Sequence, residues 1–145
     1  MGCDERMTRT IAMNPLGFIQ SPYQSLDAIP MQGNARGGTQ ASFTMLDEFA
    51  PGMRDIRPDD WLLLVFYFHQ AANKGLRVFS RGLQREAGIF STRSPHRPNR
   101  IGCTVVRCTR VEGNTIHFIG ADMLDGTPVL DIKPWNPLPV SPLRE

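Results

Sequence analysis

The chain has 145 residues, 41% of them hydrophobic, and a formal net charge of +2. That length suits one domain around a single core and leaves no room within it for a second catalytic domain. The longest uninterrupted apolar run, Trp61 to Phe68, is half or less of the roughly 20 residues that cross a bilayer as a helix, so a soluble, cytoplasmic protein is expected.

The opening residues Met1 to Arg6 lead into no apolar signal core, and secretion is not expected. Residues 1–14 read as a flexible tail, 15–137 as one domain and 138–145 as an extended tail. Alternation from Leu16 to Ser21 predicts a first strand, ended by Ser21-Pro22. Residues 23–41 form a long irregular connection broken by Pro30, Gly33, Asn34, Gly37 and Gly38. Loops of this length in small domains are usually functional or mobile. Ala41 to Met45 reads as a short strand, and Leu46 to Ala50 as one helical turn before Pro51-Gly52. The bulky run Trp61 to His69 fits a buried strand, with His69 at its end.

Arg77 to Ser80 reads as an edge segment, and Ala87 to Thr92 leads into a loop rich in arginine and proline. Ile101 to Val111 is a strand, Glu112-Gly113-Asn114 a hairpin turn, and Thr115 to Ala121 its partner. Asp125-Gly126 signals a second tight connection before the strand Val129 to Ile132, and the proline-rich tail after Pro134 is extended. Few segments have helical periodicity, so the fold class is all-β, a partly closed barrel with a few short helical turns.

Eight arginines, Arg77, Arg81, Arg85, Arg93, Arg97, Arg100, Arg107 and Arg110, stand against the single acid Glu86 between residues 77 and 110. They read either as a phosphate track or as a solvated surface with internal ion pairs. Three cysteines suggest a reducing compartment. Cys103 and Cys108, an odd number of residues apart in one strand, face opposite sides of the sheet. His69, His96 and His117 are scattered and no CxxC accompanies them, so no metal site is expected.

The most specific residue order lies in Phe90-Ser91-Thr92-Arg93-Ser94-Pro95-His96-Arg97-Pro98-Asn99-Arg100-Ile101-Gly102 and in Leu124-Asp125-Gly126-Thr127-Pro128 through Pro134. Pro95 and Pro98 remove backbone donors and bias their neighbours to extended geometry, so Arg93 and Arg97 belong to a fixed loop, not to a basic helix. With Leu16 to Pro22, Pro30-Met31-Gln32, Phe68-His69-Gln70 and Pro134-Trp135-Asn136-Pro137, these blocks resemble the TsaA-like family. Its TrmO-type members methylate N6-threonylcarbamoyladenosine at position 37 of tRNA. Arg100 stands where that family usually has proline, and the chain ends at Glu145, short of the C-terminal extension of the longer bacterial members.

The resemblance implies a barrel, S-adenosyl-L-methionine as methyl donor, the tRNA anticodon loop as partner, and a homodimer. It implies cofactor contacts from Pro30, Met31, Gln32, His69, Gln70, Arg93, Cys103, Leu124, Asp125, Gly126 and Thr127. Arg97 and Arg100 are candidates for RNA phosphates or the threonyl carboxylate. Loss of the N6 proton helps attack by a nitrogen that a carbamoyl group has made electron-poor, and His69 and Asp125 are the candidate bases. Each element also has a plain reading: His69 and Gln70 as a cap on the core, Asp125-Gly126 as an ordinary turn. Two other functions stay open, methyl transfer to another RNA base or a small molecule, and a non-catalytic RNA-binding barrel.

Overall fold

The computed structural model describes residues 9–30, 33–35 and 37–136. The expectations for Met31, Gln32 and most of the two tails lie outside the described residues. Eight strands follow in order: β1 (Gly17–Gln20), β2 (Thr39–Met45), β3 (Trp61–Tyr67), β4 (Arg77–Ser80), β5 (Arg85–Gly88), β6 (Ile101–Glu112), β7 (Thr115–Ala121) and β8 (Pro128–Pro134). Short 3-10 turns at Leu26–Ala28, Asp47–Met53 and Ile89–Ser91 supply the helical structure among the described residues.

Six strands form an antiparallel barrel in the order β1-β2-β7-β6-β3-β8, while β4 and β5 pair as a separate hairpin. The barrel closes fully, where partial closure was expected, because β8 reaches β1 through Gly17↔Val129 and Phe18↔Pro128. Register shifts at Thr39/Gln40, Val65/Phe66 and Cys108/Arg110 interrupt the ladders. Such bulges bend the strands on which they occur, which a small barrel needs. The twelve-residue β6 pairs with β3 through Ile101 to Arg107 and with β7 through Arg107 to Glu112.

The barrel interior is the core. In β3 the buried residues are Leu62, Leu64 and Phe66, a strict alternation that leaves the other face partly exposed. Cys108, Val106, Phe118, Ile116, Phe43, Ile19 and Val129 complete the packed centre, each nearly or wholly buried. Cys108 points inward and Cys103 is exposed, as their spacing predicts.

Candidate active site

The β4–β5 hairpin and the loop from Thr92 to Arg97 face one end of the barrel, and with β3 and β6 they line a cavity of about 840 Å³. Small-molecule sites typically span roughly 300 to 1,000 Å³. One wall is aromatic: Phe66 and Phe68 meet edge to face with centroids 5.3 Å apart. Gly102 makes room for both rings, since a Cβ there would lie 2.5 Å from Phe68 Cζ and 2.8 Å from Phe66 Cε2. The hairpin contributes Phe79, Arg81 and Leu83, and the first long loop contributes Leu26, Ile29 and Pro30.

A carboxylate that the sequence reading passed over borders this cavity. Asp122 follows β7 and is buried to 9% exposure. Its Oδ1 accepts the Thr104 hydroxyl at 2.6 Å and its Oδ2 the Gly33 N–H at 2.9 Å. Burial pushes its carboxyl above the ordinary aspartate range, and the Thr104 and Gly33 hydrogen bonds and the charge of Arg93 oppose that shift without cancelling it. The only sequence signal was an acid inside the otherwise apolar run Ala121-Asp122-Met123-Leu124, all four of which are buried.

The raised value fixes the sign of a pH effect. Folding makes Asp122 easier to protonate than in the unfolded chain, so its contribution to stability is fully present below the unfolded aspartate range and is lost as pH rises through the folded value. Relative to Asp122→Asn, the wild-type protein is expected to gain melting temperature as pH falls from neutral to about 4. A difference in melting temperature that does not change with pH would contradict this placement.

The loop from Thr92 to Arg100 is held by its own polar groups. Thr92 Oγ1 donates to Ile89 O and accepts Ser94 N–H, Ser94 Oγ accepts His96 N–H, and Arg97 N–H reaches Pro95 O. Arg93 ties the loop to β6 through Nη2 and Cys103 O at 2.7 Å. Arg97 turns back on the loop, its Nη1 donating to Thr92 O at 2.9 Å and Ser94 O at 3.2 Å, although its side chain still borders the cavity. Arg100 lies outside the cavity lining. Its Nη1 donates to Ala71 O at 2.7 Å, its Nη2 to the Tyr67 hydroxyl, and its guanidinium sits 5.0 Å from the Tyr67 ring centroid. Nη1 and Nη2 thus each make one bond within the protein.

The residues implied by the resemblance fall into two groups. Pro30, Arg93 and Cys103 line the cavity. His69, Gln70, Leu124, Asp125, Gly126 and Thr127 do not. The turn from Leu124 to Thr127 docks instead on β1: Gly126 N–H donates to Ile19 O, Ile19 N–H to Thr127 O, and Asp125 Oδ1 accepts Ser21 N–H. His69 meets this turn, its Nε2 lying 3.9 Å from where a Cβ on Gly126 would sit, and its buried Nδ1 has no hydrogen-bond partner among the described residues. Gln70 is exposed.

Of the eight arginines, most have partners. Arg77 pairs with Glu86 at 3.2 Å, Arg107 with Asp59 at 3.0 Å and Arg110 with Glu112 at 3.3 Å. Arg85 Nη1 donates to Glu86 O. Among the described residues no group of three His, Cys, Asp or Glu side chains comes together to hold a metal, and no helix is long and apolar enough to cross a membrane.

Comparison with known proteins gives this barrel and cavity a lineage. A protein of Pyrococcus abyssi named as a probable S-adenosyl-L-methionine-binding protein is 39% identical over 88% of this chain and 69% of its own length. The mouse tRNA (adenine(37)-N6)-methyltransferase is 35% identical over 83% of this chain, which spans only 30% of that enzyme. The crystal structure of TrmO from Pseudomonas aeruginosa superposes with a TM-score of 0.74 at 34% identity, covering 94% of this chain and 62% of that one. This chain therefore corresponds to a part of its longer relatives. The model of the tRNA-methyltransferase O N-terminal domain matches residues 18–138, which takes in the whole barrel but Gly17, the hairpin and the cavity, and the chain belongs to that family.

Proposed function

We propose that this protein is an S-adenosyl-L-methionine-dependent methyltransferase acting on tRNA, at N6 of threonylcarbamoyladenosine 37 in the anticodon loop. The observation that carries the reading is the cavity: an aromatic wall for a purine, a buried carboxylate and an arginine at one barrel end, in a chain whose relatives are named for S-adenosyl-L-methionine and for tRNA adenine methylation. The groups present fit an amino acid joined to a nucleoside. Phe66 and Phe68 offer apolar surface, Asp122 an anion for positive charge, and Arg93, Arg97 and Arg81 cations for a carboxylate. When bound, the cofactor supplies an electrophilic methyl group; the residues of this chain align it and keep water away. The turn from Leu124 to Thr127, which the resemblance also assigns to the cofactor, docks on β1, and His69 meets it.

The acceptor base of a tRNA loop can be splayed out of its stack and presented to such a pocket. Arg81, in the β4–β5 turn, borders the cavity and has no side-chain partner among the described residues. It is the first phosphate contact we assign, with Arg97 beside it. A homodimer accords with the apolar surface around the hairpin, where Leu76, Phe79, Leu83 and Phe90 are 65%, 62%, 45% and 76% exposed. A second copy would cover these side chains and narrow the mouth of the cavity.

Incubation with S-adenosyl-L-methionine and tRNA carrying threonylcarbamoyladenosine, followed by nucleoside mass spectrometry, should show a methyl gain on that nucleoside. Failure to bind the cofactor at millimolar concentration in calorimetry would remove the enzyme reading. Cofactor binding with methylation of some other acceptor would leave the donor and displace the substrate.

Arg93→Ala and Arg97→Ala divide the roles. Arg93 joins the loop to β6 and offsets Asp122, so its loss should weaken cofactor binding by about 1.5 to 3 kcal/mol. Arg97→Ala should leave cofactor affinity closer to wild type and weaken tRNA binding, measured at fixed salt. Equal losses of both ligands in both variants, with melting unchanged, would show the loop acting as one unit.

A further inference from the structure

Asp122 is costly to the fold. It is an ionisable group taken out of water, held by two hydrogen-bond donors that satisfy half of its four lone-pair sites, and bordering a cavity that the aromatic Phe66 and Phe68 also line. The other charged side chains on the cavity are differently placed. Asp27 and Arg81 are exposed at its edge, Arg93 also donates to Cys103 O, and Arg97 to the loop carbonyls. Asp122 is therefore the buried anion of the lining. Its position is fixed from three elements, since Thr104 lies on β6, Gly33 on the first long loop, and Asp122 itself at the end of β7.

We infer that Asp122 is a specificity-determining residue: its charge reads the positive charge on the sulfur of the methyl donor and so distinguishes donor from spent product. The inference rests on the cofactor reading above. Donor and product share the adenosine, the ammonium and the carboxylate, and they differ in a sulfonium against a neutral thioether. A sulfonium has no N–H or O–H to donate, so what recognises it is charge at short range in a poorly hydrated site. A carboxylate whose oxygens already hold Thr104 and Gly33 is built for that task, because it cannot swing to follow a hydrogen-bond donor. Loss of the methyl group would remove the attraction and favour product release.

The test is calorimetry of the full chain with three ligands: S-adenosyl-L-methionine, S-adenosyl-L-homocysteine, and the cationic amine analogue in which C–NH₃⁺ replaces the sulfonium. Wild-type protein is expected to bind the two cations about 10- to 100-fold more tightly than the thioether. Asp122→Asn should reduce that preference to about twofold or less, chiefly by weakening the cations. Equal affinity of wild-type protein for all three ligands overturns the inference whether or not the variant folds. A parallel loss of all three in a folded Asp122→Asn variant, with the preference intact, also overturns it and makes Asp122 a support of the cavity wall. No binding of any ligand by wild-type protein sinks the cofactor reading itself and the inference with it.

Discussion

Replacement of Gly33 by alanine is expected to lower stability by about 3 kcal/mol and to weaken ligand binding at least tenfold. The backbone at Gly33 lies directly on β7: an added Cβ would stand 2.1 Å from Gly120 O and 2.7 Å from Thr104 Cγ2. Neither neighbour can yield cheaply, because one is strand backbone and the other belongs to a side chain clamped to Asp122. Gly120 is itself at φ +109°, and a Cβ on it would meet Ala35 backbone at 3.0 Å, so the contact requires glycine on both sides. To admit the methyl group the loop must lift, which breaks the Gly33 N–H to Asp122 hydrogen bond and shifts Pro30 at the cavity edge. Gly37→Ala is the control, since a Cβ there meets nothing within 4 Å. Surface changes of that kind stay within about 0.5 kcal/mol. Equal melting temperatures for the two variants would mean that the loop does not rest on β7.

The barrel strands were legible because each has one face in the core, so alternation survives in the sequence: β3 buries every second residue, and β7 buries Ile116 and Phe118. The turn between β6 and β7 was legible because Gly113 supplies the positive φ of +56° that a tight hairpin needs. β5 was not. Arg85-Glu86-Ala87-Gly88 has weak strand preference and buries only Ala87 fully, and its pairing with β4 is what makes it a strand. Full closure was hidden for a related reason, since it rests on two residue pairs between β1 and β8 at opposite ends of the chain.

The cavity divides in the same way. Arg93 and Cys103 were named through the resemblance, and the structure adds the geometric link between them, a guanidinium on a strand carbonyl. Asp122 could not be picked out by spacing, because its partners Thr104 and Gly33 are 18 and 89 residues away. The arginine density between residues 77 and 110 was real in sequence, but Arg107 has its acid 48 residues upstream in Asp59. A charge count over a window cannot see a partner outside it.

Arg100→Pro is the second large effect expected, a loss of about 3 kcal/mol or more. The resemblance makes proline the usual residue here, yet Arg100 occupies the left-handed region at φ +51°. A proline ring fixes φ near −65°, so it cannot follow this backbone path. The path matters because Arg100 O accepts Phe68 N–H at 2.8 Å, one residue before β6 begins at Ile101, and Phe68 is part of the aromatic wall. Its side chain adds a second tie, to Ala71 O and the Tyr67 hydroxyl at the end of β3. Arg100→Gly separates these contributions: glycine accepts the positive φ and removes only the clamp, so its cost should be about 1.5 to 3 kcal/mol from the charged hydrogen bonds. Thermal melting of both variants gives the order. Proline as the milder substitution would mean that the chain reaches β6 by the relatives' route, with Arg100 free to turn outward toward RNA.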